Sequence, residues 1–392
     1  MNRLGLAHLL VASGAILVLG SHAVDADVEQ AEAVTATELE SSLREQLESR
    51  EFLDAASRAE NWIARTEAVA GRYDIALAQP LVLLGDARMG LDDPVGALEA
   101  YDRAKHIVRL ADGIQGTAQL DILYREVAAF SALGEWPEAN GRQEQAYNIS
   151  RRAYGADDRR HQDNTYRLIE WYRHHYKNIP AHVLFEQLIE TVRKQDETEP
   201  LVRLLREHAG LWRQSAFGRR KAGRGQFAAW PPGIRRLPPW QRLDPFREGR
   251  DALGEVVTLR EESSLDSNED LATALLDYAD WHILYGDYPT AVRHYRRVWR
   301  LLDENPGRRA SIFEEPTPLF LPLPRRTRRG ASQDGVVELA LTVTHRGRVI
   351  GRKTLHVEPR TIMEHRVRIA ARNRDGNPVK IKGHPLEFTY TY

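Results

Sequence analysis

Between residues 40 and 200 apolar side chains recur three or four positions apart, and the apolar runs come in pairs. Each pair is divided by a short turn of Gly, Asp, Asn or Pro, which predicts two antiparallel helices per unit. "LLGDARMGLDDPVGALEAYDRAKHI" and "LYREVAAFSALGEWPEANGRQEQAYNI" show the pattern most plainly. One alanine marks its phase: Ala55, Ala97, Ala139 and Ala181 stand 42 residues apart each time. A fixed period of this length predicts a helical repeat array. The alanine lets two backbones approach, and a large residue four positions later falls on the same helix face. Tyr101 follows Ala97 in this way, and Phe185 follows Ala181. Leu81, Leu84, Gly85 and Ala104 complete the expected packing of one unit, Phe130, Gly134 and Ala146 that of the next, and Leu168 and Tyr172 that of the third.

A later stretch, "DYADWHILYGDYPTAVRHYRRVW" over 277–299, repeats the same frame. Ala279, Gly286, Tyr288, Ala291 and Tyr295 take the small, turn, aromatic, small and aromatic places, with Trp281 and Trp299 beside them. Its aromatics therefore read as core, and His282 and His294 as solvated or groove-facing positions.

The Leu-Gly, aromatic and Ala-x3-aromatic elements of residues 81–104 and 275–299 resemble the tetratricopeptide repeat (TPR) family. The 42-residue period resembles the extended repeats of kinesin light chains. The resemblance covers roughly residues 40–200 and 268–303, and implies a mainly α solenoid with a concave binding surface. By that resemblance the groove-facing positions on the first helices are Gln79, Asp86, Asp121, Tyr124, Asp163, Tyr166, Glu170, Arg173 and Asp280. Acidic side chains dominate this set, so a protein or peptide partner with a basic segment is expected.

The chain divides into a leader over 1–23, repeats over 24–212, an insertion over 213–260, a further helical hairpin over 261–304, a Pro/Arg-rich linker over 305–334 and a small domain over 335–392. Residues 213–250 hold ten basic and two acidic residues with five interleaved Phe and Trp. Such a segment reads either as an unstructured insertion or as a binder of envelope anions such as lipid head groups or lipopolysaccharide phosphates; no nucleic-acid partner is expected. "SLDSNEDLATALLD" places Asp266, Asn268, Asp270 and Asp277 like calcium ligands, but Leu271 stands where the loop requires glycine. It reads better as a helix start, with Ser267 as N-cap and Asp270 three residues later.

After 335 the period changes to two. "GVVELALTV" puts Val337, Leu339, Leu341 and Val343 on one face, and "GRVIGRKTLHV" and "LEFTYTY" also alternate. A turn at His345-Arg346-Gly347 and a short helix near 361–371 complete a small β or α+β domain. Gly335-Val336-Val337, Gly347-Arg348-Val349 and "RDGNPV" resemble the C-terminal domain of TonB-like energy transducers. In that family the domain pairs with an extended segment of a partner by strand addition, with the final strand at or near a sheet edge.

Composition narrows the rest. There are no cysteines among the 392 residues, so disulfides and thiolate chemistry are excluded, and a formal net charge of −1 implies no global polyelectrolyte partner. The N-terminus has Arg3, an apolar run over 4–20 and small residues at Ser21 and Ala23. It reads as an export signal cleaved after Ala23 or Ala26, giving a periplasmic protein; the alternative is an inner-membrane anchor over 4–20. The motifs of common hydrolases, nucleotide binders and metalloproteases do not occur. The expectation is an exported, non-enzymatic interaction scaffold of a Gram-negative envelope, linked to TonB-type energy transduction or transport, with no cofactor and no metal. The alternatives are a binder of envelope anions such as lipid or lipopolysaccharide, or an enzyme with no recognisable motif.

Overall fold

A computed structural model of the chain describes residues 37–217, 244–263, 267–313 and 319, and the strands 335–343, 349–358 and 381–390. The expected leader, the turn at 345–347 and the helix near 361–371 lie outside the described residues. The chain forms two compact units, Met1–Asn164 and Thr165–Tyr392.

In the first unit, α1 (helical over 37–48) is followed by α2 (Phe52–Ala70), α3 (Ala78–Gly90), α4 (Pro94–Asp112), α5 (Leu120–Leu133) and α6 (Trp136–Tyr154). The division between the units falls within α7 (Arg159–His174). The second unit continues with α8 (Asn178–Lys194), α9 (Thr198–Phe217), α10 (Pro245–Glu262), α11 (Asn268–Tyr285), α12 (Tyr288–Leu301) and α13 (Pro306–Phe313). Neighbouring helices pack in chain order as hairpins, α3 on α4, α5 on α6, α9 on α10 and α11 on α12. The chain is therefore mainly α, with a TPR-like arrangement of helical pairs.

The pairs form because the apolar side chains of each helix gather on the faces that meet. Ala97, Ala139, Ala181 and Ala291 have 0% exposure and Ala55 has 1%. Tyr101, Tyr172, Phe185 and Tyr295 fill the adjacent space and are the largest fully buried side chains. At Gly249 the place of the alanine is taken by an even smaller residue: a Cβ there would meet the Trp281 ring at 2.0 Å. Gly249 lies 42 residues before Ala291 and 68 after Ala181, the excess matching the length of 218–243.

That phase corrects the expected insertion over 213–260. α9 reaches Phe217 and α10 begins at Pro245, so both are ordinary members of a packed pair. The Pro, Gly and Arg content that suggested an insertion is concentrated in 218–243, which lies outside the described residues. Farther along, Gly249, Ala252, Leu253 and Val256 form a helical apolar face. The expected linker over 305–334 needs a similar correction, because α13 buries Ile312 and Phe313 and sets the Phe313 ring edge-on to Tyr295 and Trp299.

The turn inside each pair repeats as strictly as the alanine. Arg50, Asp92, Gly134 and Tyr176 occupy the left-handed region, with φ of 62°, 60°, 75° and 56°, at steps of 42 residues. Gly134 and Gly286 are thus helix-terminating turn residues rather than packing residues. A bulky side chain at positive φ costs on the order of 1 kcal/mol or more. Tyr176 is 62% exposed, so little packing is lost with its ring. Tyr176→Gly should therefore raise stability by about 0.5–1 kcal/mol, net of the extra freedom glycine has when unfolded. A lowered thermal midpoint would show that the ring is held by packing after all.

At the start of α11 the Ser267 side chain accepts from the Asp270 backbone N–H and the Asp270 carboxylate accepts in return from Ser267, a reciprocal cap. The carboxylate is used in folding rather than in holding a cation.

The C-terminal strands β1 (Gly335–Val343), β2 (Val349–Glu358) and β3 (Ile381–Tyr390) form one antiparallel sheet in the order β2-β1-β3. β1 is central, and β3 lies at an edge.

Candidate interaction face on the first helices

The nine positions expected to face a groove all stand on the first helices of the pairs. Those helices are α1, α3 and α5 in the first unit, and α9 and α11 in the second, with α7 shared between them. Successive first helices are joined by polar contacts between residues close to one repeat apart. Gln79 Nε2 on α3 donates to Glu40 Oε1 on α1 at 3.0 Å. Arg125 Nε on α5 donates to Asp86 Oδ1 on α3 at 2.8 Å, and its guanidinium also engages Asp121. The Tyr124 hydroxyl bonds the side-chain carbonyl of Asn164. In the second unit the Tyr166 hydroxyl donates to Glu207 Oε2 at 2.7 Å, and Arg206 pairs with Asp277 at 2.9 Å.

Carboxylates of the first helices also tie them to second helices. Asp86 accepts from the Tyr101 hydroxyl at 2.7 Å, and Asp280 accepts from Tyr295 at 2.7 Å, one arrangement in two repeats. Burial, and then the Asp86 charge, push the Tyr101 hydroxyl far above its ordinary range; burial and Glu207 do the same to Tyr166. Both tyrosines are hydrogen-bond donors and not acids.

Of the nine expected groove positions, Gln79, Asp86, Tyr124, Tyr166 and Asp280 are therefore half-buried in bridges. Glu170 and Arg173 pair with each other on α7. Asp163 is exposed, and Asp121 keeps 74% of its side chain exposed beside Arg125. The bridging partners Glu40, Arg125, Asn164 and Glu207 were absent from the expected set. Their signal was available, for each lies 39 to 41 residues from its partner, close to the period.

The histidines do not converge on one site. His174 is exposed, while His175 stacks on Trp171 at 3.9 Å. The expectation that His282 is solvated or groove-facing is corrected: it is 4% exposed, bonded to Asp287 Oδ2 at 2.9 Å and packed edge-on against Tyr278. The small turn residue Gly286 lets α12 fold back close enough for that contact. Deepest is the pair on α8 and α9, where His182 Nδ1 lies 3.0 Å from His208 Nε2. His182 Nε2 meets Ser215 Oγ at 3.1 Å, and its ring stacks on Trp212 at 3.6 Å. Burial lowers both pKa values, that of His208 to about 3. Among the described residues no group of three or more His, Asp or Glu is arranged to hold a metal, and no helix is long and apolar enough to cross a membrane.

No protein-family model matches the chain, and no curated protein matches it. Solved structures of similar type do exist. TPR-like repeats of a putative kinesin light chain from Podosopora anserina are 15% identical over 58% of this chain and 94% of that one, with a TM-score of 0.42. BtubC (BKLC) from P. vanneervenii is 15% identical over 74% of this chain and 97% of its own, with a TM-score of 0.39. The apo form of RapI is 10% identical over 69% of this chain and 66% of its own, also with a TM-score of 0.39. The repeat architecture rests on this chain's own helical pairs and their 42-residue phase.

Proposed function

We propose that the protein is a non-enzymatic, periplasmic scaffold that binds a peptide or protein segment with basic residues on its first-helix face. The carrying observation is the row of bridges from α1 to α3 to α5 to α7, which hold the first helices of the first unit in place and leave Asp121 and Asp163 accessible. A preordered face avoids an ordering cost when a partner binds. The test is selection from a displayed peptide library on the intact protein. Selected peptides should be rich in Lys and Arg, and the Asp121→Lys/Asp163→Lys variant should bind them at least tenfold more weakly, since loss of one complementary charge and gain of a like charge costs above 1 kcal/mol. Equal binding by the variant would move the site elsewhere.

A second reading concerns the small C-terminal domain, which we place with TonB-like domains that pair with an extended segment. Its support is the order β2-β1-β3 and one proline. Ala340 faces Pro385 across the β1–β3 ladder, and proline has no N–H, so that pair exchanges no hydrogen bonds. The bonded pairs are then Leu341–His384, Leu339–Leu386 and Val337–Phe388. Pro385, Glu387 and Thr389 therefore turn their main-chain groups away from β1, leaving donors at Glu387 and Thr389 for an added strand. Thr389→Pro removes an outward donor without touching the ladder, and should abolish capture of extended peptides while the fold persists. Retained capture would argue for pairing at β2, or for a domain that only caps the repeats.

A further inference from the structure

The second helices of the pairs mix acidic with basic residues on α2, α4, α6, α8 and α10. α12 departs from this: it carries Arg293, Arg296, Arg297 and Arg300 and no aspartate or glutamate. Arg293, Arg296 and Arg300 are three and four residues apart, so the helix brings them to one face, where all three are exposed. Arg297 is occupied separately, in an ion pair with Glu261 of α10. Among the described residues the exposed three have only local hydrogen bonds: Arg293 Nη2 donates to Thr290 Oγ1 at 3.1 Å, and Arg300 Nε to the Arg296 carbonyl at 3.3 Å. On the opposite side Ala291, Val292, Tyr295 and Val298 are buried. The result is a line of guanidiniums roughly 10 Å long on a helix anchored from behind.

We infer that this face of α12 docks on a bilayer surface containing anionic phospholipid. Strand-like nucleic acids are bound by aromatic platforms set among the basic residues, and the exposed positions of α12 are Pro289 and the three arginines, with no aromatic among them. A second copy of the chain would meet the stripe through exposed ion pairs, and these contribute little. A charged bilayer attracts all the arginines together, and each planar fork suits a phosphate bidentately.

The experiment is co-sedimentation of the full chain with vesicles of mixed phosphatidylglycerol and phosphatidylcholine, against vesicles of phosphatidylcholine alone. Binding is expected to the mixed vesicles only, and should fade in high salt. Arg293→Gln, Arg296→Gln and Arg300→Gln should each weaken it about fivefold, and the triple variant roughly a hundredfold, with an unchanged circular dichroism spectrum. Undiminished binding by the triple variant would overturn the assignment, because the attraction would then come from other basic segments. So would equal binding to phosphatidylcholine, or binding of a single-stranded oligonucleotide that the triple variant loses while the wild type ignores the vesicles.

Discussion

Glu126→Ala lowers the stability of the first unit by about 3–5 kcal/mol, the cost of breaking a buried ion pair from one side. Glu126 on α5 has 2% of its side chain exposed and is held between Lys105 of α4 and Arg142 of α6, the latter at 2.7 Å. Lys105 is itself 4% exposed, so removing the carboxylate leaves an ammonium sealed between helices. Asp102 reaches that ammonium at 3.0 Å but is 74% exposed, so it offsets only part of the loss. Glu126→Gln keeps the shape and a hydrogen-bond acceptor while removing the charge, and should fall between alanine and wild type. The measurement is the denaturant midpoint of all three proteins. Glu126→Ala within about 1 kcal/mol of wild type would mean that water enters to solvate Lys105.

Acidification should weaken the second unit by about 3 kcal/mol between pH 7.5 and 5.5 through His182 and His208 alone. Both are buried neutral, so their folded pKa values lie below the unfolded value near 6.5. The unfolded chain then takes up protons that the folded one refuses. Stability is full above pH 6.5, declines as pH falls below it, and levels only near the folded pKa, about 3 for His208. The groups facing the pair are Ser215, Asn178, Trp212 and Phe185, none of them charged. Glu186, one turn along α8, is raised to about 7 by burial and then by Glu248, so its protonation favours the folded state and offsets part of the decline. His282 and His294 are lowered too, chiefly by burial, and steepen the decline. His208→Gln removes one titrating group and should halve the pair's share of the slope. A variant with the slope of wild type would show that the pair is hydrated and titrates normally.

How much of this was legible beforehand differs between the repeat and its surface. The 42-residue phase of Ala55, Ala97, Ala139 and Ala181 could be read directly, because helix packing imposes a local rule: a small residue is needed wherever two backbones cross. The reciprocal cap of α11 was legible for the same reason, since Ser267 and Asp270 satisfy each other within one turn. α10 was missed because the proline-rich composition before it masked a short apolar face. Partner choice among polar groups was also hidden. An aspartate on a first helix has the same local pattern whether it faces water or accepts from a tyrosine on the next helix. Asp86 and Asp280 became acceptors for Tyr101 and Tyr295, and His282 went inward, only once neighbouring helices were placed.

Sequence periodicity by itself determined the helical pairs, their phase and the change to strands after residue 335, because those follow from near-neighbour sterics and from burying one face of each element. Tertiary structure alone decided that Asp86 and Asp280 accept from buried tyrosines, that His182 and His208 meet where α8 packs on α9, and that Pro385 stands opposite Ala340 in the β1–β3 ladder. Each depends on atoms far apart in the chain, where desolvation and hydrogen-bond geometry, not residue spacing, select the partner.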